Sequence, residues 1–297
     1  MAFPLYVYNI DENRREAKFI KKVDLRNTKW SLLFLICSIV SVNAFGMFQF
    51  GRFHGKGNLE LVQHLRKSGV IKSERVFDAM SKVDRGKYTE PCDAYIDSPQ
   101  SIGFGATISA PHMHGYALEF LADKLKDGSR ALDVGSGSGY LTACMALMVG
   151  PKGVAVGIEH VPKLQERARR NIQSDHPELL ESKQLELIVG DGRLGYPNKA
   201  PYDAIHIGAA APEAPEILIN QLAPGGRMIV PIGKTNADQT LFQIDKTMDG
   251  KIQKTSLMGV VYVPLCDKSR QGYFIRVLNF QIITKIYKNN ILCSIPN

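Results

Sequence analysis

The run Asp133-Val134-Gly135-Ser136-Gly137-Ser138-Gly139-Tyr140 limits what this 297-residue chain can fold into more than any other stretch. It follows the short apolar run Arg130-Ala131-Leu132 and precedes a helical apolar run, Leu141 to Val149. That order reads as a strand, a tight turn and a helix N-terminus. Glycines at alternate positions let the backbone approach a ligand closely, with no Cβ in the way. The spacing is G-x-G-x-G, not the G-x-G-x-x-G that seats a dinucleotide pyrophosphate on a helix N-terminus.

Further strands follow, and acidic residues end them. Val154-Ala155-Val156-Gly157-Ile158 reads as a buried strand with Glu159 at its carboxyl end, where a carboxylate can accept both ribose hydroxyls of an adenosyl group. Leu185 to Val189 runs into Gly190-Asp191-Gly192, which places Asp191 to accept from an adenine amino group. Tyr202 to Ile207 leads to Gly208, and Arg227 to Pro231 follows the turn Pro224-Gly225-Gly226. Residues 239–246 and 255–263 read as a hairpin joined at Asp249-Gly250. The expected fold is α/β and Rossmann-like: a mostly parallel, doubly wound sheet with a C-terminal antiparallel hairpin and ligand at the strand carboxyl ends. The short glycine spacing after an acid is typical of class I methyltransferases that use S-adenosylmethionine. Gly135, Gly137 and Gly139 are therefore expected cofactor contacts.

The formal net charge of +8 raises a nucleic-acid reading, so its distribution matters. Residues 1–57 carry nine Lys/Arg against four Asp/Glu, and 272–297 carry three against none, leaving 25 of each sign in 58–271. A nucleic-acid footprint needs a basic face on the folded domain, and this neutral core gives no compositional support for one. Cys37, Cys92, Cys144, Cys266 and Cys293 are odd in number and scattered, without C-x-x-C, which argues against a disulfide framework or zinc ribbon and suits a reducing compartment. His112 and His114 alternate and would face one way on extended chain. With no third ligand near, packing or substrate contact is the expected role and no metal is expected.

The core begins near Asn58, read as an N-cap, with Leu59, Val62 and Leu65 at helical spacing and Gly69 as a stop. A second helix starts at Ser73, with Val76, Phe77, Met80 and Val83 on one face. A long loop, Asp84 to about Ala110, separates it from a helix opened by Pro111 and carrying Leu118, Phe120, Leu121 and Leu125. A loop this long inside a domain is often functional. The small residues, hydroxyls and two imidazoles of Asp97–His114 suit holding a polar group by hydrogen bonds, since that segment offers no acid pair or lysine to move protons.

The segment Asp97-Ser98-Pro99-Gln100-Ser101-Ile102-Gly103-Phe104 through Ile108-Ser109-Ala110-Pro111-His112-Met113-His114 resembles the substrate loop of protein-L-isoaspartate O-methyltransferases. The resemblance continues through Ala131–Gly139, Val189-Gly190-Asp191-Gly192-Arg193, Ala200–His206, Gly208–Pro212 and Met258–Leu265, covering roughly 58–271. It implies a repair enzyme that moves a methyl group from S-adenosylmethionine to the free carboxylate of L-isoaspartyl, and more weakly D-aspartyl, residues in damaged proteins and peptides. It implies Ser109 as the catalytic residue, with Ser109, Ala110 and His112 at the substrate. Ile102, Gly103, Phe104 and Gly105 would lie in the segment closing over the cofactor. Asp133, Glu159, Asp191 and Gly192 would bind it, with Cys266 and Gln271 as late contacts. A small-molecule methyltransferase and a non-catalytic S-adenosylmethionine- or isoaspartate-binding adaptor are the rival readings.

The chain departs from the family pattern at Gly105, usually Gln, and at Cys266, usually a hydroxyl residue. Its ends depart more. Family members finish just after Gln271, whereas Tyr273 to Asn297 is an apolar-basic segment. Three regions are expected: an N-terminal extension over 1–57, a methyltransferase domain over 58–271 and an atypical tail over 272–297. No charged residue lies between Lys29 and Arg52, and Trp30 to Val42 is almost continuously apolar. Residues 30–50 therefore offer a membrane contact, as a signal or anchor, with Val42-Asn43-Ala44 resembling a signal-peptidase site. The family preference and the scattered cysteines favour a cytosolic monomer, with the secretory pathway or a membrane anchor as the alternative.

Overall fold

Apolar strands alternating with helical stretches bury both faces of a sheet when the strands run parallel, and the computed structural model of the protein has this form. The structure describes residues 5–11, 16–23, 55–90, 93–234 and 237–265. They belong to two units, Met1–Gly51 and Arg52–Asn297. In the first, β1 (Leu5–Asp11) and β2 (Glu16–Val23) pair antiparallel, an element that the hydropathy reading of the extension does not predict. The apolar run 30–50 and the tail 272–297 lie outside the described residues. Among the described residues no helix is long and apolar enough to cross a membrane.

The second unit opens with α1 (Asn58–Lys67) and α2 (Glu74–Lys82). Gly57, not Asn58, occupies the N-cap. The Asn58 amide instead donates to the carbonyls of Met80, Ser81 and Val83, closing the end of α2. Leu61, Val62 and Leu65 are buried, while Leu59 is 52% exposed. At 3.6 residues per turn Leu59 sits about 60° beyond the stripe that the other three make, so the expected spacing drifts off the core. In α2, Val76, Ala79 and Met80 are buried, but Phe77 is only half-buried and lies under the Arg66 guanidinium.

The expected loop over 84–110 has structure of its own. It holds a 3-10 turn at Arg85–Lys87 and an antiparallel pair, β3 (Gln100–Gly103) and β4 (Ala106–Ile108). Then α3 (Pro111–Leu121) begins with Pro111 in its first turn. His112 and His114 are therefore helical rather than extended. Two positions apart on a helix they diverge by about 200°, and they do not face one way.

The main sheet takes β5 (Arg130–Val134), then α4 (Tyr140–Val149), β6 (Val154–Glu159), α5 (Pro162–Asp175), α6 (Pro177–Glu181), β7 (Leu185–Val189), β8 (Tyr202–Ile207), α7 (Glu216–Asn220), β9 (Leu222–Ile232), β10 (Gln239–Lys246) and β11 (Ile252–Val260). Strand order is β11-β10-β9-β8-β5-β6-β7, with β5 to β9 parallel and the last two antiparallel. The fold is thus the class I methyltransferase arrangement read from the sequence. The Pro224–Gly226 turn lies inside β9, where the register jumps between Tyr202 and Ala204 of β8. Leu132, Val134, Val156, Ile158, Ile205, Ile207, Met228 and Val230 form the core across the strands. The chain leaves β5 toward β6 and β7, then returns on the other side of β5 as β8. That reversal opens a crevice above the carboxyl ends of β5 and β8, where open α/β sheets bind ligands.

Candidate active site

The glycine loop sits at this crevice. Gly135, Gly137 and Gly139 all have positive φ, at +78°, +52° and +85°, a region costly for residues with a Cβ. A Cβ at Gly137 would lie 3.1 Å from Ile102 Cδ1, and one at Gly139 would lie 3.0 Å from Ile172. Gly137 thus lets β3 close onto the loop, while Gly139 lets α4 approach α5.

Glu159 ends β6, 6% exposed. Its Oε2 accepts from the Gly137 N–H at 3.2 Å and its Oε1 from Val161 N–H at 3.0 Å. Asp133, the residue before the last of β5, is 2% exposed. It accepts from the Thr142 hydroxyl at 2.6 Å, and its other oxygen lies 2.8 Å from His206 Nδ1. A carboxylate only accepts, so Nδ1 of His206 carries the proton. Asp191, after β7, is gripped by the Arg193 guanidinium at 2.6–3.0 Å. That hydrogen bonding holds its carboxyl below the usual carboxylate range.

Two cavities meet here. The larger, about 750 Å³ including its solvent-open part, is lined by Gly105, Gly135, Gly137, Glu159, Asp191 and Gly192, and on the far rim by Val263, Pro264 and Leu265. The smaller, about 340 Å³ including its solvent-open part, holds Ser109, His114, Asp133, Tyr140 and His206. Thr107, Gly135, Gly137 and Gly208 border both. The structure so brings together eight of the expected residues: Gly105, Gly135, Gly137, Glu159, Asp191 and Gly192 in one cavity, Ser109 and Asp133 in the other.

The remaining expected residues fall elsewhere. Ile102 is buried against the glycine loop, and its carbonyl accepts from Arg167 on α5 at 3.0 Å. Gly103 and Phe104 form the tip between β3 and β4 with the cavity-lining Gly105, at φ of +82°, +53° and +71°. A phenylalanine at φ +53° is uncommon and marks a constrained turn. Its ring is 45% exposed and meets Lys163 on α5. Ala110 caps α3, and His112 turns to Asp97, with Nδ1 2.8 Å from Oδ1. Neither lines either of these two cavities. Cys266 and Gln271 lie outside the described residues. Among the described residues no group of three His, Cys, Asp or Glu could hold a metal ion.

Sequence reasoning missed Arg85. It is 0% exposed, and it donates from Nε to the Ala94 carbonyl at 3.1 Å and from Nη2 to the Ser109 carbonyl at 3.0 Å. Its Nη1 lies 3.4 Å from His114 Nδ1, and its guanidinium carbon 5.7 Å from the Tyr140 ring centroid. Burial lowers its pKa to about 10, so it stays charged at neutral pH. Burial, and then Arg85 itself, drives the His114 pKa well below its ordinary value, leaving that imidazole neutral. An arginine between Asp84 and Gly86 carries no local sign of burial, and no signal in the sequence would have found it.

The comparisons with known proteins agree with this geometry. The family model for protein-L-isoaspartate(D-aspartate) O-methyltransferase matches residues 56–270. A Caenorhabditis elegans protein-L-isoaspartate O-methyltransferase is 50% identical over 220 residues, covering 74% of this chain and 97% of the relative. A Triticum aestivum enzyme of the same name is 50% identical over 226 residues, 74% of this chain and 97% of its own. A Plasmodium falciparum protein-L-isoaspartate O-methyltransferase structure in complex with S-adenosyl-L-homocysteine is 40% identical with a TM-score of 0.66, covering 71% of this chain and 99% of that one. With a glycine loop at the sheet's switch point, a serine-bearing cavity opening into it and these matches, the chain belongs to the protein-L-isoaspartate (D-aspartate) O-methyltransferase family.

Proposed function

We infer that this protein is a repair methyltransferase that transfers a methyl group from S-adenosylmethionine to the free carboxylate of L-isoaspartyl residues in damaged proteins, and of D-aspartyl residues as well. The observation that carries the reading is the joining of the two cavities across Thr107, Gly135, Gly137 and Gly208. One has two acids at successive strand ends for an adenosyl group, and the other has a hydroxyl beside the Asp133–His206 pair.

The residues present fit the cofactor. Glu159 and Asp191 stand at successive strand ends within the larger cavity. A Cβ at Gly192 would meet the Val134 side chain at 2.6 Å, so glycine there lets this turn pack on β5. Glu159 accepts the ribose hydroxyls on the lone pairs that Gly137 and Val161 leave open. Asp191 and Gly192 would hold the adenine, and Asp133 would hold the methionine part. When bound, S-adenosylmethionine supplies a methyl group already activated on a sulfonium.

The chain's own task is orientation. A substrate carboxylate of pKa about 4 is ionised at pH 7, so no general base is needed. Ser109 donates a charge-assisted hydrogen bond that holds the carboxylate in line for transfer. Asp133 fixes His206 in one tautomer beside that position. The working form is a cytosolic monomer; its domain starts near residue 58, and residues 1–57 affect location rather than chemistry.

The deciding assay incubates the protein with S-adenosylmethionine labelled in its methyl group and with two peptides that differ only in an isoaspartyl or a normal aspartyl linkage. Label should enter the isoaspartyl peptide alone, as a base-labile ester. Binding of that peptide without turnover would replace this reading with the adaptor. Label in a metabolite pool but in neither peptide would replace it with a small-molecule methyltransferase.

A further inference from the structure

Arg85 is a fully buried cation, and each of its hydrogen-bond partners is uncharged: the carbonyls of Ala94 and Ser109, and neutral His114. Asp97 is near enough to act on it through space, but Asp97 Oδ1 is given over to the backbone and ring of His112. Among the described residues no carboxylate pairs with the guanidinium directly. Three of the residues it touches, Ser109, His114 and Tyr140, line the smaller cavity. The charge therefore stands one layer of residues behind the wall of that cavity.

We propose that Arg85 is the positioning residue behind Ser109 and supplies the positive potential that makes the smaller cavity select a free carboxylate over its uncharged counterpart. The inference rests on the reading of Ser109 as the group that meets the substrate. Arginine suits both parts of this role. Its rigid fork reaches two carbonyls at once, and in a water-poor interior its field is weakly screened.

The direction of the effect follows from the charges. Methyl transfer turns an anionic carboxylate and a cationic sulfonium into an ester and a thioether, both neutral. A fixed cation behind the carboxylate stabilises the bound substrate and loses its hold once the ester forms. Its field so favours entry of the acid and departure of the product, and appears in KM for the peptide. The hold on the Ser109 carbonyl appears in kcat.

The test measures affinity for two peptides in the presence of S-adenosyl-L-homocysteine, which permits no turnover. One carries isoaspartate, and the other isoasparagine, with a carboxamide in place of the free carboxylate. The wild type should bind the acid about tenfold or more tighter than the amide, with little loss of that ratio in 0.5 M salt because the charge is buried. Arg85→Met should bring the ratio toward one and raise KM. Arg85→Lys should keep most of the ratio while lowering kcat, since an ammonium cannot fork to both carbonyls. Equal affinity for acid and amide in the wild type overturns the proposal without any variant, so a poorly folding Met protein does not shelter it. An undiminished ratio in a folded Arg85→Met protein overturns it as well. Ser109→Ala, run alongside, separates the two readings. Full turnover there overturns the placement of substrate at Ser109, whereas lost turnover with an unchanged Arg85→Met ratio overturns this inference alone.

Discussion

Replacing Glu159 by glutamine tests the cofactor site most directly. Both carboxylate oxygens already accept one backbone N–H, from Gly137 and from Val161, and each keeps a further lone pair for a ribose hydroxyl. Glutamine retains one acceptor oxygen but turns an NH2 group toward one of those two N–H donors. The folded protein loses one charge-assisted hydrogen bond and leaves a buried donor unpaired, a cost of about 1–3 kcal/mol. In a domain of this size that corresponds to a Tm drop on the order of 2–10 °C. Binding loses more: one ribose hydrogen bond disappears and the other weakens as the charge goes, about 1.5–3 kcal/mol, so Kd for S-adenosylmethionine should rise about 10- to 100-fold. Calorimetric titration with S-adenosyl-L-homocysteine reads this without turnover, and peptide affinity should barely change. A lowered Tm with cofactor affinity held within about twofold would refute the reasoning. Glu159 would then only brace the glycine loop.

Ser109→Ala should leave cofactor affinity unchanged and slow methyl transfer about 10- to 100-fold, the rate equivalent of a ~1.5–3 kcal/mol hydrogen bond to a charge. Wild-type turnover in steady-state assays would remove Ser109 from the mechanism. His114 has its pKa depressed by burial and then by Arg85, so below pH ~6.5 the unfolded chain takes up a proton that the folded chain refuses. Stability from this group is therefore present above pH ~6.5 and is lost as pH falls, by up to about 1.4 kcal/mol per pH unit. Urea unfolding at several pH values should show a shallower slope for His114→Gln, and an identical slope would mean that His114 charges freely in the fold. A protein starting at Arg52 should fold and methylate without the extension, because that is where the second unit begins. Starting at Asn58 would remove the Gly57 carbonyl that accepts from Leu61 N–H and the Gly55 bond to Tyr95. An inactive Arg52 protein would show that the extension is required, and a protease-protected core in microsomes would overturn the cytosolic reading.

The features legible in the sequence are those whose physics is local. A glycine at positive φ, an apolar run of five and an acid at its end need only their neighbours to be read. That is why Arg130–Val134, Val154–Glu159, Leu185–Val189 and Tyr202–Ile207 appear as strands, and why the crevice residues Gly135, Gly137, Glu159 and Asp191 are identifiable from the chain alone. Where two local readings compete, the sequence misleads. Asn58 looks like an N-cap until the end of α2 comes within reach of its amide. His112 and His114 look paired until Pro111 starts a helix under them.

What only the tertiary structure decided is which polar side chains meet. His206 reaches Asp133 across 73 positions of sequence, Glu159 receives Gly137 across 22, and Arg85 joins Ala94, Ser109 and His114 across 9 to 29. Burial of a charge is a property of everything packed around it, and no period or spacing encodes that. The sequence by itself determined the sheet and the glycine loop, and its family resemblance pointed to Ser109. Folding decided that the Arg85 guanidinium lies behind that serine, because its carbonyl partners become available only when the 3-10 turn at Arg85–Lys87, the loop at Ala94 and the start of α3 close around one point.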